Sequence, residues 1–341
     1  MEEKEFIIYT SKMFTSPTIT KILDDIKTYK PKKLLFFNPN ECTFLGTENK
    51  SEFDELQILL DRHDIKFYVL IGSETINGEK DTLIGKNIEY LFWPTYLIHY
   101  TYSAIEQQLI YLKSDKIERL FSYYNRRPRR HRGLFLEKLF VNDLFKLGNI
   151  SWDVLTKKNF SDTHYQFEFW KEEQLIPNTE DNGDSYKIEF FDDNSLFHIV
   201  GETETDKNFI TEKTYRTIFI EKAFIIFGSK NANLCLKKYG FDVYEELINY
   251  EFDEKENIEE RLDGIIHELM KLKKENLSNL VESIEYKVKH NKKRILEIVK
   301  KDEYIPKKLV DLYYEYKIEF NEAINKNYID NYVKKIIENY G

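Results

Sequence analysis

A chain of 341 residues that is 41% hydrophobic and 15% aromatic carries apolar material for two ordinary cores, which excludes a disordered polypeptide. A net charge of -9 excludes a surface that is basic throughout, as a general polyanion binder needs, although a local basic groove stays open. The two cysteines, Cys42 and Cys235, have no partners at metal-ligand spacing, so a reducing, intracellular setting is expected and a zinc site is not.

The opening MEEKEFIIYT is acidic and passes straight into a strand, so no signal peptide is expected. No apolar run approaches the roughly 20 residues of a membrane span, and the expectation is a cytoplasmic protein. Phe6 to Tyr9 reads as a strand, Thr18 to Ile26 has helical spacing, and Leu34 to Phe37 is a second strand closed by Asn38-Pro39-Asn40. Ser51 then caps a helix through Leu60, and Phe67 to Ile71 is a third strand ending at Gly72-Ser73-Glu74. Ile88 to Trp93 makes a fourth strand and Tyr102 to Leu112 a helix. These units describe a first open α/β domain, residues 1–115, whose ligand edge carries Asn38, Asn40, Ser73, Glu74 and His99.

A boundary is expected near Lys113-Ser114-Asp115-Lys116. Ile117 to Tyr123 is a new strand that runs into YNRRPRRHR, Tyr124 to Arg132, with five arginines and a histidine between positions 126 and 132. Pro128 suits the first turn of a helix, and Leu136, Leu139, Phe140, Leu144 and Leu147 continue at helical spacing to a stop at Gly148. The arginines thus gather where a strand turns into a helix, a place already favourable to anions. A solvated basic turn or a nucleic-acid patch are the competing readings. Residues 151–193 are less regular, with an exposed polar loop from Asn178 to Asp184.

Leu196 to Val200 is a buried strand ending at Gly201-Glu202-Thr203. The octet FITEKTYR, Phe209 to Arg216, then opens a helix; Ala223 to Phe227 is the next strand, stopped by Gly228; a further helical stretch ends at Gly240. Strand, helix, strand, helix with short loops builds a parallel sheet, with ligands beyond the carboxyl ends of its strands. Thr211 fits an N-cap, Glu212 can accept from a vicinal diol such as ribose, and Lys213 and Arg216 bring charge for phosphate oxygens. An ordinary solvated first turn is the bland alternative. Beyond Tyr244 the chain reads as helical: Ile258, Leu262, Ile265, Leu269 and Leu272 in one helix, Leu277 to Val288 in another, and a tyrosine-rich helical region after Pro306.

FITEKTYR, followed by Ala223 to Phe227, Gly228-Ser229 and YGFDVY at Tyr239 to Tyr244, resembles the donor-binding half of fucosyltransferase-like glycosyltransferases of the GT-B fold, including relatives in phages and large viruses. Asn125 to Arg132 looks like the arginine-bearing turn that opens the same domain. The resemblance covers residues 120–294 and is most specific at Thr-Glu-Lys; the N-terminal domain matches in layout alone.

The resemblance implies two Rossmann-like α/β domains facing a cleft, with an acceptor-side domain at 1–115, a donor-binding domain at 116–300 and a C-terminal helical segment at 301–341 packing back on the first. It implies Glu212 on the donor ribose, Lys213 and an upstream arginine on the diphosphate, with Arg127 and Arg132 chosen among the five and Arg216 assisting. Asn125, Glu202 and Thr211, at the same strand ends, complete the donor-side set. The expected activity is inverting sugar transfer from a nucleoside-diphosphate sugar, GDP-fucose-like as the first guess, to a glycan or other hydroxyl-bearing acceptor. No cofactor is required in this reading, and no Asp-x-Asp element marks a metal-dependent alternative. The general base is expected on the first domain's strand-end loops, with Glu74 first and His99 second. The alternatives are a DNA-modifying glycosyltransferase acting on a hydroxylated base, with DNA as acceptor, and a non-catalytic nucleic-acid-binding protein.

Overall fold

The computed structural model describes residues 4–10, 16–38, 50–72, 85–94, 97–98, 101, 116–125, 129–152, 194–206, 208–301 and 303–316. The chain divides into two compact units, Met1–Tyr102 with Ile298–Gly341, and Ser103–Glu297. Among the described residues there are eight α-helices and two four-stranded sheets, both parallel throughout. No helix among them is long and apolar enough to cross a membrane.

In the first unit β1 (Phe6–Thr10), β2 (Lys33–Asn38), β3 (Lys66–Ile71) and β4 (Ile88–Phe92) lie side by side in chain order. The central strands, KLLFFN and KFYVLI, are continuous apolar runs, as a parallel sheet covered on both faces demands. Helix α1 (Ser16–Tyr29) buries Ile19, Ile22, Leu23 and Ile26, and α2 (Lys50–Arg62) buries Phe53, Leu56, Leu59 and Leu60. A late element, α8 (Lys307–Tyr316), belongs to this unit: Tyr316 stacks on Phe6 with centroids 4.5 Å apart, and Glu315 meets Lys33 at 2.5 Å.

The second unit runs β5 (Arg119–Asn125), α3 (Arg130–Val141), β6 (Gly148–Trp152), β7 (Ser195–Gly201), α4 (Glu212–Phe219), β8 (Ala223–Phe227) and α5 (Ala232–Leu236). Helix α6 (Ile258–Leu272) and α7 (Leu277–Lys301) follow, the last residues of α7 passing into the first unit. Its sheet order is β6-β5-β7-β8. The chain therefore steps from β5 to one side, then crosses back to the other side of β5 for β7 and β8. That reversal creates a switch point between β5 and β7, where the loops leaving adjacent strands diverge. The first sheet has no reversal among its described strands.

One reading of the sequence needs correction. The helix after the arginine run ends at Val141, where Asp143 takes a left-handed φ of 51° and the Asn142 amide closes onto the Lys138 carbonyl. Gly148 opens strand β6 instead of stopping that helix; a Cβ there would lie 2.2 Å from the Phe121 ring, so the parallel partner of β5 must start without a side chain. Gly240, in contrast, has the positive φ of 81° expected of a helix stop.

Candidate functional site at the switch point

Strand β5 ends at Asn125 and its neighbour β7 at Gly201, and the first turn of α3 meets Glu202, the residue that follows β7. Glu202 sits at their junction with its side chain 2% exposed. Its Oε1 accepts from the Thr211 backbone N-H at 3.0 Å and the Thr214 hydroxyl at 2.7 Å. Its Oε2 accepts from the Thr211 hydroxyl at 2.6 Å and lies 3.2 Å from the Lys213 ammonium. Burial would push this carboxyl up, but Lys213 and the threonine donors outweigh it and hold the group below the ordinary carboxylate value.

The backbone of the same residue ties the neighbouring elements. The Glu202 amide donates to the Phe227 carbonyl at 2.8 Å, joining the ends of β7 and β8. Its carbonyl accepts from His131 Nε2 at 2.8 Å and from Arg132 at 3.3 Å, joining the first turn of α3. Gly201, just before, could not carry a side chain: a Cβ would lie 2.8 Å from the Phe227 ring and 3.1 Å from the Arg132 stem. Burial pushes His131 down to about 4, so the ring is neutral at physiological pH and donates to the carbonyl. Burial also lowers Arg132, against the opposing fields of Tyr123, Glu202 and Glu212. Tyr123 fixes this turn by donating from its buried hydroxyl to the Arg132 carbonyl at 2.9 Å.

Lys213, half-buried on the first turn of α4, donates to the Thr211 hydroxyl and lies 3.5 Å from Glu212 and from the Thr203 hydroxyl. Thr211 takes the N-cap position, yet its hydroxyl makes no cap hydrogen bond, because it is engaged by Glu202 and Lys213. Arg132, Glu202, Thr211, Lys213 and Glu212 are thus brought together as one cluster. Asn125 is buried at the end of β5 beside it. Arg216 stands one turn further along α4, half-buried, and no described hydrogen bond or ion pair joins its side chain to the cluster. Among the other arginines, Arg130 is largely exposed and 3.6 Å from Glu259. Arg127, Glu74, His99, Asn40 and Ser73 lie outside the described residues.

Several residues shape the site without a mark in the sequence. Arg261, 2% exposed on α6, donates to the carbonyls of Lys255, Glu256, Thr205 and Gly228 at 2.6, 2.9, 2.9 and 2.8 Å, tying the loops after β7 and β8 to one guanidinium. Asp253 accepts from the Asn233 and Leu234 amides and the Asn233 side chain at 2.9 to 3.0 Å, while Asn233 bonds both backbone groups of Ile226. Burial raises Asp253 to about 6. Among the described residues, no group of histidine, cysteine and carboxylate side chains is placed to hold a metal ion.

No family model and no curated protein matches the chain. A solved structure titled alpha1,3-fucosyltransferase aligns with 84% of this chain and 90% of its own, at 11% identity and a TM-score of 0.33.

Proposed function

We propose that the protein is a glycosyltransferase that moves a sugar from a nucleoside-diphosphate sugar to an acceptor hydroxyl. The observation that carries this reading is the placement of Arg132, Lys213 and Glu212 at the β5/β7 switch point, the position where open parallel sheets take nucleotides. Two fixed cations and a helix N-terminus suit a diphosphate, and the Glu212 carboxylate beside them suits the ribose diol. In the reaction the bond between the anomeric carbon and the phosphate oxygen breaks, and its electron pair stays on the departing nucleoside diphosphate. The acceptor oxygen forms the new bond and gives its proton to a base, for which Glu74 is the first choice and His99 the second. Arg132 and Lys213 would stabilise the leaving charge without a bound metal, and attack from the opposite face would invert the anomeric centre. A GDP-sugar such as GDP-fucose is the first donor to try, and the resemblance of FITEKTYR is the reason for that order.

The nucleic-acid readings draw less support from the same residues. Arg132 is buried in the site and Arg130 faces Glu259, so the described part of the basic run is not a continuous cationic surface.

Calorimetric titration with UDP, GDP, ADP and CDP sugars and the free diphosphates tests the proposal; no binding by millimolar concentration rejects it. Lys213→Ala should weaken nucleoside diphosphate binding by roughly 1.5 to 3 kcal/mol, the worth of a charge-assisted hydrogen bond, and should also lower the melting temperature, because the buried Glu202 carboxylate loses its counter-ion. Arg132→Ala is the poorer probe because the side chain is 5% exposed and its loss also opens the core.

A further inference from the structure

Glu202 looks at first like one more ligand of the donor, but its carboxylate has no capacity left for one. Four donors from a single stretch, the Thr211 amide and hydroxyl, the Thr214 hydroxyl and the Lys213 ammonium, occupy its two oxygens, and the side chain is 2% exposed. Its backbone carbonyl is engaged by His131 and Arg132. One residue therefore holds Lys213 by its side chain and Arg132 by its main chain.

From this geometry we infer that Glu202 is a positioning residue for the transfer reaction: an internal counter-ion that, through the Thr211 hydroxyl, fixes where the Lys213 ammonium stands relative to Arg132. The inference rests on the donor-site reading above. The Thr211 hydroxyl is the relay, since it donates to Glu202 and accepts from Lys213. A lysine on a four-carbon stem is otherwise a mobile point charge. Fixing it matters most where negative charge develops on the leaving diphosphate, because a preorganised cation needs no rearrangement at that moment. In ground-state binding the two consequences of Glu202 oppose each other: the carboxylate orders the lysine, yet repels the anion the lysine attracts. Its effect should therefore appear in kcat and hardly in affinity.

Glu202→Gln tests this. An amide can still accept from the Thr211 amide and Thr214 hydroxyl on one side, but presents an NH2 group to Lys213 on the other. Turnover is read as nucleoside diphosphate release from the donor sugar, and affinity as calorimetric binding of inorganic pyrophosphate. The expected result is a fall of at least about tenfold in kcat with pyrophosphate affinity within about threefold of wild type. Thr211→Val keeps every charge and removes the relay, so it should lower kcat in the same way, and Thr211→Ser should recover most of the loss. Unchanged kcat in Glu202→Gln overturns the inference. So does a loss of pyrophosphate affinity equal to the loss of rate, or a Thr211→Ser no better than Thr211→Val. If Glu202→Gln does not fold, the Thr211 pair decides alone. A wild-type protein that neither binds pyrophosphate nor cleaves any donor sugar rejects the donor-site reading itself; active wild type with silent variants rejects only the role of Glu202.

Discussion

Two buried groups of the second unit titrate in opposite senses over the same pH range, and their opposition can be exposed by removing either. His131 is held down to about 4 from an ordinary 6.5, and Asp253 is raised to about 6 from 3.8, both by burial. At about 1.4 kcal/mol per pH unit, each difference corresponds to about 3 kcal/mol. For His131 the unfolded chain binds the proton more readily, so its contribution is complete above pH 6.5 and is lost as the pH falls toward 4. For Asp253 the folded chain binds the proton more readily, so its contribution is complete below pH 3.8 and is lost as the pH rises through 6. Between pH 4 and 6 the two slopes nearly cancel. Urea unfolding of wild type, His131→Gln and Asp253→Asn across pH 4 to 7 reads this directly. Relative to wild type, His131→Gln should gain about 3 kcal/mol as the pH falls from 6.5 to 4, and Asp253→Asn should gain about 3 kcal/mol as it rises from 4 to 6. Difference profiles that are flat with pH, whatever their level, would refute the assignment of these two groups as buried and opposed.

The loops of the site offer two further tests. Gly228→Ala places a Cβ 3.0 Å from Glu202 Cβ and from the Glu204 carbonyl, so it should cost about 1 to 3 kcal/mol in urea unfolding and displace the loop that carries Glu202. Arg261→Lys keeps the charge but cannot reach four carbonyls at once; proteolysis within the loops after β7 and β8 should rise at least about tenfold, since their opening loses more than one hydrogen bond.

Much of this arrangement is legible in the sequence because parallel strands buried on both faces read as unbroken apolar runs. Leu34 to Phe37, Phe67 to Ile71, Leu196 to Val200 and Ala223 to Phe227 each fall within an observed strand. β6 escapes the same test: GNISW holds only two large apolar residues and begins with the glycine that resembles a helix stop. The cluster at FITEKTYR is legible as charge beside a strand end, but not as geometry. Thr211 meets the composition rule for an N-cap, and only the fold shows Glu202 nine residues earlier reaching it. Which arginine enters the site depends on which way α3 presents its first turn; that face buries Arg132 and leaves Arg130 outside. Arg261 is invisible for a different reason. On a helix rich in Lys and Glu it reads as one more solvated charge, and its role comes from carbonyls 5 to 56 positions away.

The most demanding consequence concerns Glu212, which lies 3.5 Å from Lys213. In the proposed complex the diphosphate engages the Lys213 ammonium where it already stands, and Glu212 is then released to accept from the ribose. The two halves of donor recognition are therefore coupled. Inorganic pyrophosphate takes the lysine but gives the carboxylate nothing in return, whereas GDP satisfies both. Glu212→Gln removes a charge that repels either anion, so it should tighten pyrophosphate binding. For GDP it also exchanges charged hydrogen bonds to the diol, worth roughly 1.5 to 3 kcal/mol, for weaker neutral ones. The ratio of GDP to pyrophosphate affinity should fall by about tenfold or more, one factor of ten being about 1.4 kcal/mol. A variant in which both affinities shift by the same factor would show that Glu212 acts only through its charge on Lys213, and would remove the ribose from its role.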